Sequence, residues 1–253
     1  MFGGAWWRAT AVAGALLGGV VPAAVAQQPP EFQKPGPWPT TPPPAAAAKF
    51  EGVWKIAKPT DTLKPVSGEV PFTPEGKARY AENEKLKAQG KIDDYDIATS
   101  RCSTPGVPRL MLTPQRFELS ILNHVATFDF EWNRAVRQID MRGWTVTAPL
   151  VPQMNGQSIG HWEGDTLVAV TTGVSERTLL DDLVPHTDAM KVTERFRLID
   201  ADTLEDRITI EDPAYFTRPW EAVLTYKRQP AALFPEDVCL DRLEANKPAL
   251  PSS

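Results

Sequence analysis

The chain has 253 residues, with 27 Lys and Arg against 32 Asp and Glu and a formal net charge of −5. No cluster of basic residues stands out, which excludes an electrostatic footprint for nucleic acid. Two cysteines without a Cys-x-x-Cys spacing exclude a dithiol redox motif.

Met1 to Ala26 reads as a secretory signal peptide: Arg8 supplies the positive n-region, Ala9 to Val25 an apolar run, and Ala24-Val25-Ala26 a small-residue cleavage signal. An uncleaved anchor is the alternative, against which the cleavage signal and the many Gly and Ala residues argue. No later segment approaches the roughly 20 apolar residues of a span, so no membrane span is expected after cleavage. Gln27 to Ala48 carries Pro29, Pro30, Pro35, Pro37, Pro39 and Pro42 to Pro44. Such a composition favours extended polyproline conformation and predicts a disordered leader, with a Pro-rich docking ligand as the alternative. Residues 49–253 fit one domain of ordinary size.

The first predicted strand is Phe50 to Ile56. Thr73-Pro74-Glu75 then opens a helix, with Thr as N-cap, Pro at the first helical position and an acid in the first turn; Gly90 ends it. Tyr80 and Leu86 give it only a thin apolar stripe, so it covers a surface rather than forming a core. From Leu110 the pattern is nearly all strand: Arg116 to Leu122, Val125 to Trp132, Ala135 to Met141, and Trp144 to Thr147 after a turn at Arg142-Gly143. A hairpin follows over Ser158 to Val170, with its turn at Glu163-Gly164. A second runs from Val192 to Ile199, turns at Asp200-Ala201-Asp202, and returns from Leu204 to Ile210. The last strand is Trp220 to Arg228. Alternation with short turns predicts an all-β, antiparallel β-barrel with one helical insertion, closure being the way to remove exposed edges.

Gly52-Val53-Trp54 resembles the Gly-x-Trp signature of lipocalins, whose Trp packs across the barrel floor. A longer pattern comprises Cys102, Pro105-Gly106-Val107-Pro108-Arg109, Arg137-x-Ile139, Ser158-x-Gly160-x-Trp162-Glu163-Gly164-Asp165-Thr166-Leu167, Val192-Thr193-Glu194-Arg195-Phe196 and Cys239. It resembles a large, mostly uncharacterised family of exported bacterial proteins and covers most of the chain from about residue 50 on. The resemblance implies a β-rich protein, periplasmic or secreted, and brings no activity with it. In such a compartment Cys102 and Cys239 are expected to form a disulfide, with two buried thiols as the alternative.

Within the alternating strands two carboxylates interrupt apolar rows. Glu194 shares a face with Val192, Phe196 and Leu198; Asp206 shares one with Leu204, Ile208 and Ile210. A carboxyl buried beside another is driven neutral or must pair, and one tuned so can act as general acid or base. The bland alternatives are a salt bridge from Glu194 to an Arg, with Arg137 a candidate, and a solvated Asp206 near its turn. His161 is a candidate proton shuttle or a rim residue; His186 with Asp188 is a candidate orienting pair or part of a solvated loop. Phe128, Phe130, Trp132, Phe196 and Tyr226 are candidate walls for a ligand, or simply core. A metal site is not expected, since His124, His161 and His186 lack ligand spacing, and no cofactor loop or nucleophile elbow is present. Two functions follow: a carrier of a small apolar or amphipathic molecule held in an interior pocket bearing carboxylates, or a cofactor-independent lyase, isomerase or cyclase in which Glu194 and a His move protons.

Overall fold

Alternation in the strands places every second side chain inside a closed sheet, and the sheet closes. The computed structural model describes residues 39, 42–143 and 151–251. The expected signal segment, most of the leader and the strand expected at Trp144 to Thr147 lie outside them. Nine strands pair in chain order: β1 (Gly52–Ile56), β2 (Arg116–Leu122), β3 (Val125–Phe130), β4 (Val136–Asp140), β5 (Gln157–Glu163), β6 (Thr166–Thr172), β7 (Lys191–Asp200), β8 (Thr203–Glu211) and β9 (Trp220–Gln229). β9 returns to β1, with Trp54 opposite Arg228, so no edge is left over.

One pairing corrects the wholly antiparallel expectation. β4 and β5 run parallel and share only Ile139↔Ser158 and Asp140↔Ile159. They are joined by residues 141–156 rather than a tight turn, and a parallel pair requires such a crossover. The seam is close: a Cβ on Gly160 would lie 2.5 Å from Ile139 Cγ2 and 3.1 Å from the Val168 carbonyl oxygen. The first hairpin turn is Gly164-Asp165, one residue later than expected, because Glu163 pairs with Thr166.

The turns after β2, β5 and β7 cluster at one end of the barrel, here called the hairpin end. Phe50 is not in β1 as expected but in a helical turn, Ala47–Phe50, whose Ala47 and Phe50 are buried. Trp54 is fully buried; its indole donates to the Phe50 carbonyl at 2.9 Å, and the Arg228 guanidinium lies 4.2 Å above its ring centroid. Arg228 also donates to the carbonyls of Lys49, Glu51 and Ala201. Gly52 has φ +127°, and a Cβ there would stand 2.7 Å from Arg228 Nη1. That contact explains Gly52 beside Trp54. The Trp packed across one end of the barrel, expected from Gly52-Val53-Trp54, is present.

The opposite, helical end is closed by residues 57–115 and the loops after β6 and β8. This insertion holds more helix than the single one expected: Pro74–Ala88, the short turns Ile92–Tyr95 and Ile97–Ser100, and the 3-10 turn Arg109–Leu112. Thr73 caps the long helix by accepting from the Gly76 amide at 3.1 Å. At its end the Gly90 and Lys91 amides donate to Lys87 and Leu86 carbonyls, the hydrogen-bond pattern of a glycine-closed helix. As its thin apolar stripe implies, the helix covers loops: buried Asn83 donates to the Leu183 carbonyl at 2.8 Å, and Tyr80 packs on Phe72, which packs on Phe216. Leu110, Met111 and Leu112 are buried over the barrel interior, and Tyr226 donates to the Met111 carbonyl at 3.1 Å.

Cys102 and Cys239 are disulfide-bonded, with Cα atoms 5.6 Å apart. The bond ties the helix Cys239–Glu244 to the insertion across 137 residues of sequence. A loop of that length corresponds to about 5 kcal/mol in the chain-entropy model. Reduction, or the Cys102→Ser/Cys239→Ser pair, is expected to lower stability by about 2–5 kcal/mol in denaturant titrations, with no free thiol detected in the native protein beforehand.

Candidate functional site

The inward rows of β4 to β9 bring Arg137, Ser158, Thr171, Glu194, Asp206 and Tyr226 into the barrel, all 5% exposed or less. Arg137 Nη1 donates to Glu194 Oε1 at 2.8 Å and Nη2 to Glu194 Oε2. Nη2 also reaches Thr171 Oγ1 at 3.4 Å and Ser158 Oγ at 3.5 Å, and those hydroxyls share a hydrogen bond of 2.7 Å. The salt-bridge alternative for Glu194, with Arg137 as partner, is therefore the one realised. Burial works against the Arg137 charge, and the Glu194 carboxylate more than offsets it.

Asp206 is fully buried, and neither of its oxygens accepts a hydrogen bond. Burial pushes its carboxyl well above the usual carboxylate range, and the Glu194 charge adds to this. A protonated Asp206 has a donor of its own to offer Glu194, which an ionised one lacks. The solvated alternative is excluded because Asp206 faces Phe196 across the sheet, inside the wall. Tyr226 is raised as well, by burial first and then by Asp206 and Glu194.

Around this cluster the expected aromatic walls pack on one another. Ring centroids of Phe117 and Phe128 are 5.5 Å apart, Phe128 and Phe196 5.4 Å, and Phe117 and Tyr226 5.2 Å. Phe130 completes the row at 5.4 Å from Phe117. Glu194, Asp206, Phe128 and Phe196 expose none of their surface, so the expected interior pocket is filled by side chains. Trp132 leaves the strand altogether: it sits in the 3-10 turn Trp132–Arg134 and its indole donates to the Ala249 carbonyl at 2.9 Å.

The two histidines do not join Glu194. His161 lies on the outer wall, its side chain 60% exposed and 3.1 Å from Glu163, because the alternation that buries Ser158 and Gly160 turns His161 outward. His186 is buried, not in a solvated loop, and its ring nitrogens meet Thr178 Oγ1 at 2.9 Å and the Thr187 carbonyl at 3.0 Å. Burial holds its pKa below the ordinary value. Asp188 accepts from the Glu176 amide instead of orienting His186. Among the described residues no group of three His, Cys, Asp or Glu is placed to hold a metal ion. Sequence reasoning missed Ser158, Thr171 and Arg228; Ser158 stood in the recurring motif, and Thr171 at an inward position of its strand.

Accessible space lies outside the wall. At the hairpin end a pocket of about 630 Å³ is lined by Phe50, Leu198 and Ala201 with Lys49, Arg197 and Arg228 among its charged residues. Behind Phe50 stands Trp162, in edge contact at 5.3 Å, with a buried indole nitrogen that has no hydrogen-bond partner.

No protein-family model matches the chain, and no curated protein matches it. Among solved structures it is similar to a secretary abundant heat soluble (SAHS) protein from Ramazzottius varieornatus, at 11% identity and a TM-score of 0.33, over 72% of this chain and 96% of that one.

Glu194→Gln is expected to destabilise by about 3–5 kcal/mol because it leaves a buried guanidinium without its counter-charge. The apolar double change Arg137→Met/Glu194→Leu should recover most of that loss in the same denaturant titration.

Asp206 carries a separate pH signature. Its raised pKa means that the folded state keeps a proton which the unfolded chain releases above about pH 4. The associated stability is complete below the unfolded value and falls as pH rises towards the folded one, by about 1.4 kcal/mol per unit. Asp206→Asn should lack this slope, so in denaturant titrations its stability relative to the parent chain should improve as pH rises above about 4.

Proposed function

We propose that the protein is an exported bacterial barrel that binds a small amphipathic molecule at its hairpin end, and that it is a binder rather than an enzyme. The observation that carries this reading is the pocket of about 630 Å³ bounded by Phe50, Leu198 and Arg228. Its size falls within the roughly 300–1,000 Å³ of ligand sites, and it pairs apolar residues with the cations Lys49, Arg197 and Arg228 and the carboxylates Glu51, Asp165 and Asp200, which suits an amphipathic molecule. Leu198 and Ala201, with Ala46 and Ala48, suit a hydrocarbon body over the buried Phe50, while Lys49 and Arg197 stand among the polar groups at its edge. Trp162 Nε1 supplies an unused donor one side chain further in.

Catalysis by Glu194 is the weaker reading on physical grounds. Arg137 occupies both of its carboxylate oxygens, and no space adjoins it for a substrate. Export is supported by the signal-like Met1 to Ala26 and by the disulfide, a bond that persists in oxidising compartments. Among the described residues no helix is long and apolar enough to cross a membrane.

The test uses N-phenyl-1-naphthylamine, whose fluorescence rises in apolar surroundings. The full chain should give a saturable increase, and Ala48→Trp, which fills the pocket from its exposed rim, should abolish it without moving the melting temperature. Unsaturable fluorescence, or equal binding by Ala48→Trp, would remove this pocket as the site.

A further inference from the structure

β1 ends at Ile56, and residues 57–66 continue along β9 in its place with one rung left open. Backbone groups of alternate residues in an antiparallel strand point to opposite neighbours. Glu221 and Thr225 turn away from β8, since their carbonyls accept from the Val66 and Ala57 amides at 2.8 Å each. Val223, midway between them, faces the same side. Continued from Ile56↔Tyr226, the register puts Pro59 opposite Val223, and a proline has no N–H to give that carbonyl. The chain arches outward instead and rejoins β9 at the bridge Pro65↔Ala222. On this side no described residue hydrogen-bonds the Val223 amide or carbonyl.

Between the arch and β9 lies a pocket of about 340 Å³. The arch is held in place: Leu63 is buried and its amide donates to Asp181 Oδ2 at 2.9 Å, and the Thr62 amide donates to Thr60 Oγ1 at 3.2 Å. Pro59 and Val223, above the buried Ile56 and Leu224, form the apolar side of the pocket. Its charged side is cationic. Lys58 and Lys64 line it, neither meets a carboxylate among the described residues, and no acid lines it with them. The nearby acids are engaged or directed elsewhere: Glu205, opposite Thr225, pairs with Arg197, Glu221 pairs with Arg207, and Asp61 lines a separate pocket under residues 248–251. A chain of net charge −5 thus carries here a pocket whose only charged groups, among the described residues, are two ammonium groups.

We propose that this pocket binds a carboxylate bearing an acylated α-amino group, the chemistry shared by an N-acylamino acid and the C-terminal residue of a peptide. The ligand completes the missing rung: its amide N–H donates to the Val223 carbonyl, and one carboxylate oxygen accepts from the Val223 amide. The second oxygen accepts from the ammonium groups of Lys58 and Lys64, whose donors are otherwise unused. A free α-ammonium group is repelled by the same lysines. An aliphatic side chain on the ligand packs against Pro59 and Val223.

The test is calorimetry on the full chain with N-acetyl-L-valine, N-acetyl-L-valinamide and L-valine. The acetylated acid should bind saturably and more weakly as salt rises. The neutral amide and the free amino acid should each bind about tenfold more weakly than the acid, or not at all. Lys58→Ala/Lys64→Ala should weaken the acid about tenfold and keep the parent melting temperature, because both side chains are exposed. In amide proton–nitrogen correlation spectra the Val223 signal should move downfield on adding the acid, which an ionic contact at the lysines alone does not produce. Ala48→Trp should bind the acid unchanged, which separates this site from the one at the hairpin end. A pentapeptide with a free C-terminal valine distinguishes the two sources: tighter binding than N-acetyl-L-valine assigns the site to peptide ends, and equal or weaker binding assigns it to acylated amino acids. Equal binding of the neutral amide, indifference to the double lysine change or an unmoved Val223 signal would overturn the proposal, as would no saturable binding of the acid.

Discussion

The contact on which the barrel depends is the ion pair between Arg137 on β4 and Glu194 on β7. It sits beside the weakest seam of the sheet, where β4 and β5 share only two residue pairs. Backbone hydrogen bonding there is thin. The guanidinium answers by reaching Ser158 on β5, Thr171 on β6 and Glu194 on β7 from one position on β4. Four strands are thus tied by one side chain, across the place where the backbone ladder does least.

Such a pair contributes little net stability, because the desolvation of two charges offsets most of their attraction. Its effect is on register. A one-residue slip of β7 would turn Glu194 out to solvent and bring Arg195 in against Arg137, which no compact arrangement tolerates. The apolar rows of β7 and β8 enforce the same choice, since Val192, Phe196, Leu204, Ile208 and Ile210 would leave the core together. Burial and the Glu194 charge both favour the protonated form of Asp206 in this interior.

A filled interior moves the question of function to the two ends. Each end is closed by different chemistry. Trp54, Phe50 and Arg228 close the hairpin end with stacked rings and a guanidinium bound to three carbonyls. Leu110 to Leu112 close the helical end, held in place by Tyr226, and the disulfide and Trp132 fasten the C-terminal segment above them. Outside both closures lie pockets of mixed character. The barrel is the scaffold that fixes these end segments, while the segments supply the accessible chemistry.

Period-two alternation by itself determined most of the strands and which residues share a face, so that Glu194 stands with Val192 and Phe196 and Asp206 with Leu204 and Ile208; the Thr73 cap was legible from Thr73-Pro74-Glu75, and the pairing of the two cysteines was the expected one of two alternatives. These are local or nearly local: side-chain direction along a strand is fixed by backbone geometry, and only two thiols were available to pair. Arg137 as the partner of Glu194 was visible as one candidate, since it too lies on an inward row. The tertiary structure decided the rest. The parallel β4–β5 seam depends on the path of a long connection, which no local pattern encodes. His161 fell outside the barrel and His186 was buried away from Glu194, because their positions follow from register and loop packing. Whether the aromatic rows enclose a cavity or fill one depends on how side chains from β2, β3, β7 and β9 meet, and volume in a closed barrel is a property of the whole ring rather than of any one strand.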